Sequence, residues 1–161
     1  GADFSGTEFS GASLSGGDFS EASFADAGLS GANLGQSTLA RASFLGADLS
    51  GTSLYKVKAK AAQFEECDLS GADLSSSRFD ACIFTGSDLS GVAAVSTYFY
   101  RISAVEADFS GANLDRAKFN NADLTNADFS GAGVDETDMN NCTLEGVDLS
   151  DLEGAKNLPE S

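Results

Sequence analysis

One position in every five along this chain is apolar, and the pattern keeps step almost from end to end. Positions whose numbers end in 4 or 9, from Phe4 to Leu149, hold thirty residues: 13 Leu, 12 Phe, 3 Ala, Val134 and Met139. Two residues earlier runs a second column, at numbers ending in 2 or 7. Fifteen of its thirty members are Ala, and the rest are Thr, Ser, Val, Cys, Gly17 and Ile102. The other three positions of each five are mostly polar, small or glycine. Neither the 3.6-residue period of a helix nor the two-residue period of a strand gives this register. One large and one small inward position per five predict a chain that turns a corner every five residues around a packed interior.

A second period of twenty lies over the first. Ser-Gly recurs from Ser10-Gly11 and Ser30-Gly31 to Ser130-Gly131, and Phe recurs at 4, 24, 44, 64 and 84. Glycine as the third residue of a turn suits a type II turn, which needs positive φ there. Four five-residue units per coil would stack like side chains over one another.

The units Ala47-Asp48-Leu49, Ala72-Asp73-Leu74, Ala107-Asp108-Phe109, Ala112-Asn113-Leu114 and Ala122-Asp123-Leu124 resemble those of the pentapeptide-repeat proteins, over residues 2 to 151. The resemblance implies an all-β fold, a right-handed quadrilateral parallel β-helix. Thirty units at four per coil give seven and a half coils, a rod of roughly 36 Å at ~4.8 Å per coil. Residues 1–151 are expected to form the β-helix and 152–161 a C-terminal capping tail. In that tail the register fails at Gly154, and Leu152, Ala155 and Leu158 recur at near-helical spacing before Pro159. The chain begins already in register, which fits a monomer, an end-to-end dimer, or a structural module of a longer chain.

Composition narrows the chemistry. The net charge is −16, with 25 acids, 9 bases and no His, and the apolar fraction of 42% is too high for a disordered acidic tail. No apolar run is long enough to span a bilayer, and no membrane contact is expected. Without His, Trp or a CxxC pair, the sequence supports neither an enzyme nor a cofactor or metal site. Cys67, Cys82 and Cys142 fall in the small inward column and read as core residues rather than redox or metal groups. The interior is expected to be filled by its own side chains. Asp48, Asp68, Asp88, Asp108, Asp128 and Asp148 share an outward column with Glu8. Such a ladder could attract Ca²⁺, but bonding to nearby turn backbone explains it more simply.

The basic residues are the informative ones. Lys58, Arg78 and Lys118 share one column of the twenty-residue coil, Lys56 and Arg116 a second, Arg41 and Arg101 a third, and Lys60 lies between. All eight occupy six consecutive positions of the coil, one face and its leading corner. The same zone holds Asp18, Glu21, Asp80, Glu136 and Asp138, a formal +3; the remainder carries only Lys156 against twenty acids, −19. Tyr98 joins the Lys58 column, Tyr100 lies beside it, and Tyr55 and Val95 share the leading corner. The repeat is least regular here, where Ala94 and Ala104 replace large core residues. Tyr and Val exposed among Arg and Lys are typical of binding surfaces. The plainer alternative is a face that turned basic to relieve an acidic rod, or that pairs with acids at its corners.

The expected function is a non-catalytic scaffold binding a protein partner through Arg41, Tyr55, Lys56, Lys58, Lys60, Arg78, Val95, Tyr98, Tyr100, Arg101, Arg116 and Lys118. The resemblance supplies an alternative: some pentapeptide-repeat proteins mimic B-form DNA and bind DNA gyrase, and three faces here carry no base. The basic strip and the absence of a loop between coils depart from that pattern. Direct nucleic-acid binding is disfavoured by the −19 field elsewhere. The thylakoid lumen of chloroplasts and the bacterial cytoplasm both fit the family, and the sequence does not choose between them.

Overall fold

A computed structural model describes residues 1–158 of the chain. The five-residue register becomes a four-sided rod. From Asp3↔Ser23 to Asp123↔Thr143, parallel bridges join residues twenty apart, and each side of a coil contributes one bridging residue rather than an extended strand. Between sides, the N–H of one residue reaches the carbonyl three before it, as in Thr7 to Phe4 (3.1 Å) and Ala12 to Phe9 (2.8 Å). The third residue of these turns has positive φ whether or not it is glycine: Gly51 has 61°, but Arg41 has 57° and Glu66 has 56°. The positive φ expected of a type II turn thus extends to every corner from Gly6 to Gly146, including those where glycine is absent.

The core is the pair of columns read from the sequence. Phe24, Phe44, Phe64 and Phe84 stack with ring centroids 4.9 to 5.0 Å apart and planes within 6° of parallel. Edge contacts tie them to the neighbouring Phe79–Phe99–Phe119 column, as between Phe64 and Phe79 at 5.8 Å. Polar members of the small column satisfy themselves as they are buried. Thr52, Ser77, Thr97 and Thr137 each donate to the carbonyl 23 residues earlier, at 2.6 to 2.8 Å. Phe4, Phe9, Leu14 and Phe19 are only partly buried, because their coil has a neighbour on one side alone.

Irregular units compensate internally. Ala59, Ala94 and Ala104 stand where Leu or Phe is usual, and two residues before each, in the column that usually holds Ala, lie Val57, Val92 and Ile102, all buried. The lost and gained volumes fall within one unit, so the core stays filled. The irregularity between Val92 and Val105 therefore belongs to the interior and not to the outward face.

Two expectations fail at the C-terminal end. Leu149 was expected inward but is 40% exposed, because Leu149–Leu152 forms a short 3-10 helix capped by Asp148, and Leu152 is buried instead. The register is thus lost at Leu149 and not at Gly154. The chain then returns to the coil edge, with Lys156 bridged to Asp138, eighteen residues apart rather than twenty. The helical turn shortens the path by cutting across the end of the rod. Pro159 lies outside the described residues.

Candidate functional site

The twenty-residue period brings the basic residues together on one face. Bridges Thr38↔Lys58, Lys58↔Arg78, Arg78↔Tyr98, Tyr98↔Lys118 and Lys118↔Asp138 make one continuous column. Arg41, Lys56, Arg101 and Arg116 stand on the flanking corners, at φ between 54° and 59°. A side chain other than glycine is disfavoured there, so these cations occupy positions that the turn itself does not ask for. Lys60 and Tyr100 share the column beside Lys58, and Tyr55 and Val95 lie at the leading corner. All eight cations are exposed.

The aromatic residues are arranged differently from expectation. Tyr55 is exposed, but Val95, Tyr98 and Tyr100 are half-buried. Tyr98 and Tyr100 meet edge to face with centroids 5.5 Å apart. The Arg78 guanidinium lies 5.2 Å and the Lys118 ammonium 5.6 Å from the Tyr98 centroid. Stacking directs both cations toward the ring between them, and the attraction of the ring face offsets part of their mutual repulsion. Lys56 similarly lies 5.0 Å from the Tyr55 ring.

Ion pairs neutralise little of this face. Arg41 bonds Glu21, its Nε donating at 3.0 Å, and that hydrogen bond with the Arg41 charge holds the Glu21 carboxyl below its usual range. Arg78 Nε donates to Asp80 Oδ2 at 3.1 Å. Among the described residues, Lys56, Lys58, Lys60, Arg101, Arg116 and Lys118 have no ion-pair partner. The strip is therefore a solvated positive surface over its middle coils and is closed at both ends by acids. Asp138 closes one end, accepting from Asn120 Nδ2 at 2.9 Å and Asn157 Nδ2 at 2.8 Å.

Two depressions mark the face. One, of about 500 Å³, is lined by Lys60, Asp80, Ala81, Tyr100, Arg101, Asn120 and Asn121; the other, of about 460 Å³, by Gln36, Lys56, Val57, Lys58, Ser76 and Arg78. Asp80, Asn120 and Asn121 escape a sequence reading that follows cations and aromatics. Their only signal is that they share columns with Lys60 and Arg101.

The cysteines and the Asp column are committed elsewhere. Burial pushes the Cys67 and Cys82 thiols up to about 12 and Cys142 up to about 11, and all three are unpaired. A thiol so protonated is a poor nucleophile or metal ligand at neutral pH. The Asp column caps turns: Oδ1 of Asp48, Asp68, Asp88, Asp108 and Asp128 accepts the N–H two residues on at 2.7 to 3.0 Å. Among the described residues, no group of three or more Cys, Asp or Glu is placed to hold a metal ion, and no helix is long and apolar enough to cross a membrane.

Two family models agree with this architecture. The pentapeptide repeat region family matches residues 72–149, and the pentapeptide repeats (8 copies) family matches residues 2–39 and 18–54. No curated protein matches the chain. Among solved structures, a pentapeptide repeat protein from the cyanobacterium Cyanothece 51142 is 23% identical with a TM-score of 0.47, over 62% of this chain and 61% of its own. Full-length QnrB1, a plasmid-mediated fluoroquinolone resistance protein, is 18% identical with a TM-score of 0.46, over 96% of this chain and 90% of its own. A pentapeptide repeat protein from the thylakoid lumen of Arabidopsis thaliana is 23% identical with a TM-score of 0.40, over 82% of this chain and 71% of its own.

Proposed function

Because this chain belongs to the pentapeptide-repeat family, whose members are generally structural or binding modules, we propose that it is a non-catalytic scaffold whose Tyr/basic face docks a protein partner bearing an acidic patch. The observation that carries this reading is the set of six cations on that face without an ion-pair partner among the described residues. The fold does not need them: like charges stacked in one column cost stability, and four of the eight cations sit at corners that favour glycine. Tyr98 and Tyr55, each under a cation, give the face flat aromatic area, which carries binding energy at low entropic cost.

The test is capture by the wild-type rod and by the triple variant Lys58→Glu/Arg78→Glu/Lys118→Glu, with circular dichroism as the check on folding. Capture by wild type, weakening as salt rises and lost in the triple variant, is the expected result. Undiminished capture by the triple variant would overturn the docking face.

A second reading rests on the opposite side of the rod, where Asp48 to Asp128 bridge coil by coil in a column of carboxylates. Such a surface could mimic a duplex and bind a DNA-handling enzyme such as gyrase. It predicts that wild type and triple variant capture that enzyme equally.

A further inference from the structure

On the reading that the Tyr/basic face docks a protein, we propose that the depression of about 460 Å³ lined by Lys56, Lys58 and Arg78 receives a phosphorylated side chain of that partner. The three cations hold the phosphate oxygens, and Gln36 and Ser76, which line the depression too, offer neutral hydrogen bonds.

The coil geometry gathers these residues from three successive turns of the rod. Gln36, Lys56 and Ser76 recur at one corner, with φ between 56° and 60°. Lys58 and Arg78 are bridged to each other on the adjoining side, one rise of ~4.8 Å apart. All five are exposed. Lys56 and Lys58 have no ion-pair partner among the described residues. Arg78 gives its Nε to Asp80 at 3.1 Å and lies over the Tyr98 ring, which restrains the guanidinium plane. Among the described residues neither of its terminal nitrogens donates a hydrogen bond. A guanidinium anchored in this way presents its remaining donors to an oxyanion.

Charge selects the occupant. Among the described residues no carboxylate lines this depression, whereas Asp80 lines the other. Three cations around one space match a phosphomonoester, which carries about −1.5 to −2 at neutral pH on three acceptor oxygens, better than a carboxylate with one charge and two oxygens. Lys58 and Arg78 repel each other across their bridge, and a dianion between them would reverse that cost. Nucleic acids and anionic membranes also carry phosphates, but as extended arrays that must approach the rest of the rod, where Lys156 stands against twenty acids. A single phosphate on a protein meets far less of that repulsion.

The probe is a blocked five-residue peptide with phosphoserine between glycines, titrated into the ¹⁵N-labelled protein and followed by NMR. The same peptide with serine or glutamate at its centre, inorganic phosphate, and vesicles rich in phosphatidic acid are the comparisons. The expected result is a shift of the Lys56, Val57, Lys58, Ser76 and Arg78 backbone amides by the phosphoserine peptide. The glutamate peptide and inorganic phosphate should each bind about tenfold more weakly, and the serine peptide should shift nothing. Lys56→Gln/Lys58→Gln should weaken phosphoserine binding about tenfold, the worth of a charge-assisted hydrogen bond. Lys60→Gln/Arg101→Gln removes as many charges beside the other depression and should weaken it by no more than about threefold, through the general field. Circular dichroism checks that both variants fold. Equal losses from the two double variants would overturn the site yet leave the docking face standing, since only the charge of the face would be sensed. Glutamate binding as tightly as phosphoserine would overturn phosphate as the occupant. Inorganic phosphate binding as tightly as the peptide, or co-sedimentation with the vesicles without peptide binding, would assign the depression to a small anion or a lipid headgroup and overturn the partner side chain. Absence of any shift would also overturn the proposal, while the docking face would still stand or fall by the capture experiment.

Discussion

Two columns of like charge run along opposite sides of this rod at the same rise, and the coil treats them differently. On one side Asp48 to Asp128 stack carboxylate over carboxylate, and each accepts the N–H of the serine two residues on. On the other, Lys58, Arg78 and Lys118 share a column in which Arg78 and Lys118 lie over Tyr98, and only Arg78 has an ion-pair partner among the described residues. The acids serve the fold by capping turns, and their repulsion is offset by a hydrogen bond at each coil. The cations cap nothing. A column of like charge is therefore informative only after its local hydrogen bonds have been counted. By that measure the smaller, basic column says more about function than the larger, acidic one.

The core sets the scale against which both columns can be tested. Val92→Ala should destabilise by about 2–3 kcal/mol, and Ala94→Leu beside an intact Val92 by about 1–3 kcal/mol through overpacking. The double variant should return to within about 1 kcal/mol of wild type, because the two positions share one volume. Urea unfolding of the four proteins checks this, and additive losses would refute internal compensation.

The acidic column comes next. Asp88→Ala and Asp108→Ala should each cost about 1 kcal/mol, the worth of a turn hydrogen bond, whereas Asp→Asn at the same positions should cost less than about 0.5 kcal/mol because the acceptor remains. Lys58→Gln/Lys118→Gln should shift stability by no more than about 0.5 kcal/mol in either direction. A loss as large as that of the Asp→Ala variants would mean that the basic column is structural too, and the contrast would collapse.

The smallest effect is local and depends on pH. Partial burial raises the Asp138 pKa, but hydrogen bonds from Asn157, Asn120 and the Asn140 N–H, with the Lys118 charge nearby, outweigh it and leave the carboxyl below its usual range. A folded pKa below the unfolded value gives stability that is present above the unfolded pKa of about 4 and lost as pH falls through the folded one. Hydrogen exchange at the Lys156 N–H, which bonds the Thr137 carbonyl at 2.7 Å, should therefore quicken, relative to mid-rod amides, as pH falls below about 4. Asp138→Asn should remove that dependence.

The strict recurrence of Phe and Leu every five residues, and of Ser-Gly every twenty, made the core, the corners and the four faces legible in the sequence. The columns are legible because backbone pairing fixes the direction of each Cβ. What lies beyond the Cβ is less so. Column arithmetic places Arg41 above Glu21 and Arg78 two residues from Asp80, but it does not say which long side chains close into pairs. It also misses Asp80 and Asn120 as parts of a depression, since which side chains line it depends on rotamers. At the C-terminal end, Leu149 fits the apolar register by residue type, yet the 3-10 turn stabilised by Asp148 carries it outward and seats Leu152 in its place. There a local capping preference prevails over the period.

A coil of four equal sides also gives the chain a reading frame in space. Twenty added residues would lengthen the rod by one coil, ~4.8 Å, and leave every downstream residue on its own face. Five added residues would keep the core in register just as well but turn everything downstream by a quarter of a revolution. Placed after Ser90, such an insertion would carry Tyr98, Tyr100, Arg101, Arg116 and Lys118 to the adjoining face and leave Lys56, Lys58, Lys60 and Arg78 behind. A face of this kind can be inherited intact only through length changes in multiples of twenty, much as a message survives only insertions that keep its codons in phase.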